Sequence, residues 1–130
     1  MRGEPGWEIN PSVSPIDGEP VVDKTANSAF IGTDLDLVLR ARGVDKLIVC
    51  GNTLDVCVHC TLRHANDLNY QCLLLEDCCG CVEEVAGLRA AMIASVGVEG
   101  GIFGTVATAD ALIAALGGMP RPSQRVVVEL

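Results

Sequence analysis

The run KLIVCG at 46–51 is apolar from Leu47 to Cys50 and closes on glycine, and QCLLLED at 71–77 holds a second apolar run, Cys72 to Leu75. Unbroken apolar runs of this length predict buried strands of a parallel sheet. The stretches around them follow a helical period. TDLDLVLRARG sets Leu35, Val38 and Leu39 three to four residues apart, with Thr33 as N-cap and Gly43 as stop. LDVCVHCTLRHANDLN brings Val56, Cys60, Leu62 or Arg63, and Leu68 round at similar intervals and predicts a second helix. VEEVAGLRAAMIASVG predicts a third helix and GIFGTVAT a third strand near 101–106. TADALIAALGG predicts a closing helix with Thr108 as N-cap and glycine as its end signal.

The order αβαβαβα with short connections predicts parallel strands joined by right-handed crossovers. The expected fold class is therefore α/β, a three-layer α/β/α Rossmann-like parallel sheet. One domain spans 1–130, with an extended lead-in over 1–32, the α/β core over 33–117 and a tail over 118–130. The lead-in holds four of the six prolines, and EPVVDK within it is a candidate short strand ending near Lys24. The tail PRPSQRVVVEL either adds a terminal strand or stays loose. Three strands are few for a doubly wound sheet, so one flank is expected to be uncovered or completed by something else.

Composition narrows the class. Hydrophobic residues make up 49% of the 130, yet only four are aromatic, so the core is built from Val, Leu, Ile and Ala. That suits a sheet covered by helices better than an aromatic-rich sandwich. A formal charge of −8 supplies no basic stripe for phosphates, which argues against nucleic acid as a partner. Runs such as Leu73-Leu74-Leu75 are far too short to span a bilayer, so no membrane partner is expected. MRGEPGWEINP lacks the apolar core of a signal peptide, and a cytoplasmic location is the default expectation. Cysteines there are normally reduced, and an odd total of seven argues against a complete disulfide framework.

All seven cysteines lie between positions 50 and 81. Cys57-Val-His-Cys60 and Cys78-Cys-Gly-Cys81 are two CxxC pairs with 17 residues between them, a spacing compatible with a four-cysteine zinc site. Against zinc, Cys57 and Cys60 fall in the first turns of a helix rather than on an exposed turn, and a domain of this size has no need of a structural metal. Cys57 alone has another reading. It opens a helix just after a strand ending at Gly51, at the sheet edge where ligands of parallel α/β folds sit. A helix N-terminus lowers a thiol's pKa and offers N–H groups to an oxyanion. Cys50 and Cys72 read as small core residues and Cys60 as core-facing, while Cys78, Cys79 and Cys81 have no assigned role. His59 and His64 read as structural or surface residues, because His59 on a helix points away from Cys57.

GNTLDVCVHCTLRHANDLNYQCLLLEDCCG resembles the signature of the isochorismatase-like cysteine hydrolases, in which a G-x-x-T-x-x-C-V turn carries the nucleophile. VVDKTANSAF is similar to the same family's lysine motif, and GGIFGTVATADALIAAL to its last strand and helix. The resemblance runs to about residue 117 and looks closest to the biuret and ureidoacrylate type of amidohydrolase. It implies Cys57 as the nucleophile and Lys24 as an active-site lysine. It also implies a non-proline cis peptide between Asn52 and Thr53, and an oxyanion hole from the N–H groups of Thr53 and Cys57. Phe30 is either a wall of the substrate pocket or a packing residue. No metal and no cofactor is required.

The implied activity is cysteine-dependent hydrolysis of a small amide or ureide C–N bond through an acyl-cysteine. The family's chain begins with an aspartate-bearing strand and further strand–helix units, and this sequence starts after them. The segment CCGCVEEVAGLRAAMI also departs from the family where a substrate-side loop is expected. A catalytically impaired fragment or pseudoenzyme acting through homo-oligomerisation is therefore one rival reading, and a zinc-binding module is another. For the isolated chain the expectation is trace activity and self-association.

Overall fold

The computed structural model describes residues 8–82, 85 and 87–117. Its regular elements are helix α1 (Leu35–Ala41), strand β1 (Lys46–Gly51), a π-helical turn (Leu54–Val58), helix α2 (His59–Asp67) and strand β2 (Gln71–Cys79). Helix α3 (Leu88–Val96), the single turn α4 (Val98–Gly101), strand β3 (Thr105–Ala107) and helix α5 (Ala109–Leu116) follow. The sheet is parallel with order β1-β2-β3, so both crossovers step to the adjacent strand. Right-handed crossovers then place α2 and α3 on one face. A hydrogen bond of 2.8 Å between His59 Nε2 and Ser95 Oγ joins those two helices.

The two faces of the sheet differ. Val49 pairs in register with Leu74, and both are buried against Leu54, Val58 and Leu62. Ile48 pairs with Leu73 on the opposite face, where Ile48 is 52% exposed. Among the described residues β1 is thus left open at Ile48, a correction to the reading of its apolar run as buried throughout. It is also an edge of the sheet, consistent with the expectation of one uncovered flank.

Several boundaries move for identifiable reasons. Residues 19–24 form no strand, and among the described residues the lead-in carries a 3-10 turn at Pro11–Val13. Thr33 stands one residue too early to be the N-cap of α1. Its Oγ1 accepts from the Leu35 N–H at 3.3 Å while donating to Ala29 O at 2.6 Å. The stop at Gly43 is found: the N–H groups of Gly43 and Val44 return to Arg40 O and Leu39 O, a Schellman pair. Gly87, at φ +80°, delays α3 to Leu88. Residues 83, 84 and 86 of the predicted third helix, and the tail at 118–130, lie outside the described residues.

The third strand also begins later than predicted. Glu99 and Gly100 have positive φ in α4, and Gly104 at φ +142° brings the chain against β2. A Cβ on Gly104 would lie 2.4 Å from Cys72 O, so only glycine permits that approach. Phe103, in the sequence-predicted strand, instead lies under the Arg63 guanidinium at 3.9 Å. Thr108 caps α5 as expected, accepting from Ala111 N at 3.3 Å. Among the described residues no helix is long and apolar enough to cross a membrane.

Candidate active site

β1 delivers the chain to the C-terminal edge of the sheet at Gly51, and the peptide between Asn52 and Thr53 is cis. The turn is clamped from β2's side. Gly80 N donates to Gly51 O at 3.2 Å, and Gly80 O accepts from Leu54 N at 2.7 Å, so one residue bridges both ends of the Asn52–Thr53 pair. Helical structure starts at Leu54 with a π turn, in which Val58 N donates to Thr53 O at 3.1 Å. Cys57 lies in this first turn, where N–H groups precede the regular i−4 ladder.

Lys24 reaches the thiol from a segment 33 residues earlier. Its Nζ donates to Cys57 Sγ at 3.2 Å and to Ala26 O at 3.1 Å. Lys24 thus presents an N–H donor directly to the sulfur, the atom that would attack a carbonyl. Cys57, Lys24 and Thr53 are all half-buried, and Asn52 is exposed. The structure brings the first two together in direct contact and sets Asn52 and Thr53 in the adjoining turn.

Phe30 lies elsewhere. It is buried, with its ring 5.3 Å from that of His64 and 5.8 Å from that of Tyr70, and packing accounts for it. Asp55 lies in the π turn. Burial pushes its carboxyl up, but interactions with its own backbone, Thr53, the Val82 backbone and the Cys81 thiol outweigh this and leave it below the usual range. Asp55 therefore ties the turn to the 81–82 segment.

The remaining thiols divide by environment. Burial pushes the Cys72 thiol up to about 11. Cys79 is raised first by burial and then by its neighbours Cys50 and Cys78. Cys78 and Cys81 are raised by burial and by the adjacent carboxylates of Asp77 and Asp55. Cys60 is exposed, correcting its core-facing assignment: His59, Thr61, Leu62 and Ala65 form the buried arc of α2, and Cys60 lies opposite. All seven cysteines are free, and among the described residues no three His, Cys, Asp or Glu side chains converge as a metal site. The CxxC spacing thus does not translate into a ligand cluster.

Both histidines meet serine hydroxyls of other segments. Arg63 Nε donates to His59 Nδ1 at 3.0 Å, so Nε2 carries the proton towards Ser95 Oγ, which donates to Met92 O. Burial, then the Arg63 charge, hold His59 below the usual imidazole value. His64 Nδ1 meets Ser28 Oγ at 3.0 Å. The sequence reading missed Gly80, Ser28 and Thr61. The available signal was spacing: Thr61 and His64 follow Cys57 by four and seven residues, one face of a helix.

Comparison with known proteins agrees with this architecture. The Isochorismatase domain family matches residues 1–110. YddQ of Bacillus subtilis, an uncharacterized isochorismatase family protein, is 31% identical over 113 residues, covering 83% of this chain and 63% of its own. The ureidoacrylate amidohydrolase RutB of Variovorax paradoxus is 38% identical over 107 residues, covering 81% and 41%. The crystal structure of a cysteine hydrolase from Pseudomonas syringae pv. phaseolicola superimposes with a TM-score of 0.80 at 30% identity, over 89% of this chain and 57% of that one. The chain thus spans about 41–63% of the length of these relatives. With a match over residues 1–110 and the same parallel α/β arrangement, the chain belongs to the isochorismatase family.

Proposed function

We propose that this chain carries the thiol centre of a cysteine hydrolase that cleaves the C–N bond of a small amide or ureide. The observation that carries the reading is the 3.2 Å contact of Lys24 Nζ with Cys57 Sγ at the start of a helix that follows a parallel strand. The Cys57 thiolate attacks the substrate carbonyl, forming an S–C bond. Negative charge on the carbonyl oxygen is held by the N–H groups of Thr53 and Cys57. The C–N bond then breaks as the nitrogen takes a proton from the Lys24 ammonium and leaves as ammonia or an amine, and water cleaves the thioester, releasing the acid, regenerating the Cys57 thiolate and returning the proton to Lys24. RutB of Variovorax paradoxus, named as a ureidoacrylate amidohydrolase, supports a ureide as substrate class.

Ammonia release from ureidoacrylate and biuret, with Cys57→Ser as control, tests the reading. Release that Cys57→Ser abolishes, or a Cys57 acyl adduct seen by mass spectrometry, supports it. Release that persists in Cys57→Ser contradicts it. The second reading, a partner-dependent chain acting through self-association, is favoured by the edge position of β1 and by the 52% exposure of Ile48. A monodisperse monomer in light scattering would remove it.

A further inference from the structure

We infer that Thr61 and His64 are positioning residues for Lys24, so that one face of the nucleophile's own helix fixes the lysine's approach to the thiol. This rests on the Lys24–Cys57 pairing proposed above. Lys24 sits in no helix or strand, and residues 8–18 before it are exposed apart from a half-buried Ile9. Val22 packs partly buried against the core just before it, and the polar anchors come from the chain just after it. Ser28, Ala29 and Phe30 are buried, and two of their polar contacts run to α2. Ala29 N donates to Thr61 Oγ1 at 2.9 Å, and Ser28 Oγ meets His64 Nδ1 at 3.0 Å. Phe30 N donates to Ser28 Oγ at 3.3 Å, and the Phe30 ring lies against the His64 ring.

Thr61 and His64, three residues apart, share a face of α2, and Cys57 lies in the π turn that leads into that helix. Cys57, Thr61 and His64 meet Lys24, Ala29 and Ser28 in turn. Thiol and lysine are therefore referenced to the same helix rather than to each other across a flexible loop. Thr61 is 4% exposed, so no water stands ready to replace its hydroxyl as acceptor for the Ala29 N–H. Losing that acceptor releases the 28–30 segment, and Lys24 with it, from its register on the helix.

The test is the rate at which iodoacetamide labels Cys57 at neutral pH, in Thr61→Val, Lys24→Ala and the double variant. Thr61→Val is expected to lower the rate roughly 3- to 10-fold, towards the Lys24→Ala value, through loss of the nearby cation. Thr61→Ser, which keeps the acceptor, is expected to restore it. In the Lys24→Ala background Thr61→Val is expected to change nothing further, which a general loosening of the helix would not produce. Ser28→Ala attacks the second anchor with a smaller change and is expected to slow labelling as well, should Thr61→Val fail to fold. Equal slowing by Thr61→Val in both backgrounds, or an unchanged rate in the wild-type background, overturns the positioning role while leaving the pairing intact. An unchanged rate in Lys24→Ala overturns the pairing and this inference together.

Discussion

Adding one methyl at Gly80 separates the stability of the turn from its function. A Cβ built there would lie 2.0 Å from Asn52 Oδ1 and 3.2 Å from Asn52 Cγ, and the third nearest atom is Asn52 Nδ2 at 4.0 Å. The obstruction is thus the end of one side chain, and Asn52 is exposed. Swinging that side chain aside costs about 0.5–1.5 kcal/mol if it ends off-rotamer. Replacing glycine by alanine in an ordinary backbone conformation returns about 0.4–1 kcal/mol by restricting the unfolded chain. The two nearly cancel, so Gly80→Ala is expected to leave stability within about 1 kcal/mol of wild type, a melting shift of roughly 5 °C or less. Asn52 belongs to the cis peptide of the turn that leads into the Cys57 helix, so labelling or turnover at Cys57 is expected to change while the melt does not. Thermal unfolding followed by circular dichroism and Cys57 alkylation are the assays. Asn52→Ala removes the obstructing atoms, so in that background Gly80→Ala is expected to have no further effect on either. Destabilisation beyond about 2 kcal/mol that Asn52→Ala fails to relieve would mean the wall is backbone, and the reasoning would be wrong.

Gly104→Ala is expected to behave in the opposite way, because its Cβ would meet backbone, Cys72 O at 2.4 Å, from a φ of +142°. A loss of at least about 2 kcal/mol in urea unfolding is expected, and a neutral outcome would contradict the close approach of β3 to β2. His59 predicts a pH dependence. Its folded-state value is lowered from 6.5 by burial and then by Arg63, so the native state binds fewer protons than the unfolded chain. Its contribution is fully present above 6.5 and is lost as pH falls through the lowered value. The urea midpoint should therefore drop from about pH 7.5 to about 5.5, and His59→Gln should flatten that slope; an unchanged slope in the variant would remove His59 as the cause.

Local chemistry made much of the fold legible. The bounds of β1, the Schellman stop at Gly43 and the Thr108 cap follow from residue types acting within a few positions of themselves. The failures came where distant contacts decide. Ile48 reads as buried because its neighbours are apolar, but what covers a strand face depends on other elements. Ile102 and Phe103 read as strand, yet the approach of Gly104 to Cys72 shortens β3 to three residues. At the site, Cys57 and Lys24 were visible through motif, whereas Thr61, Ser28 and Gly80 act through contacts 30 or so residues away that no local pattern announces.

The central claim is that Cys57, set against Lys24, is the reactive thiol among seven. Brief iodoacetamide treatment at neutral pH followed by peptide mass spectrometry reads all seven at once. Labelling is expected first at Cys57, well ahead of Cys72, Cys78, Cys79 and Cys81, whose thiols are pushed up. Lys24→Ala is expected to slow Cys57 and leave the order of those four unchanged. Labelling of Cys72 or Cys79 as fast as Cys57, or a Cys57 rate indifferent to Lys24, would contradict the account.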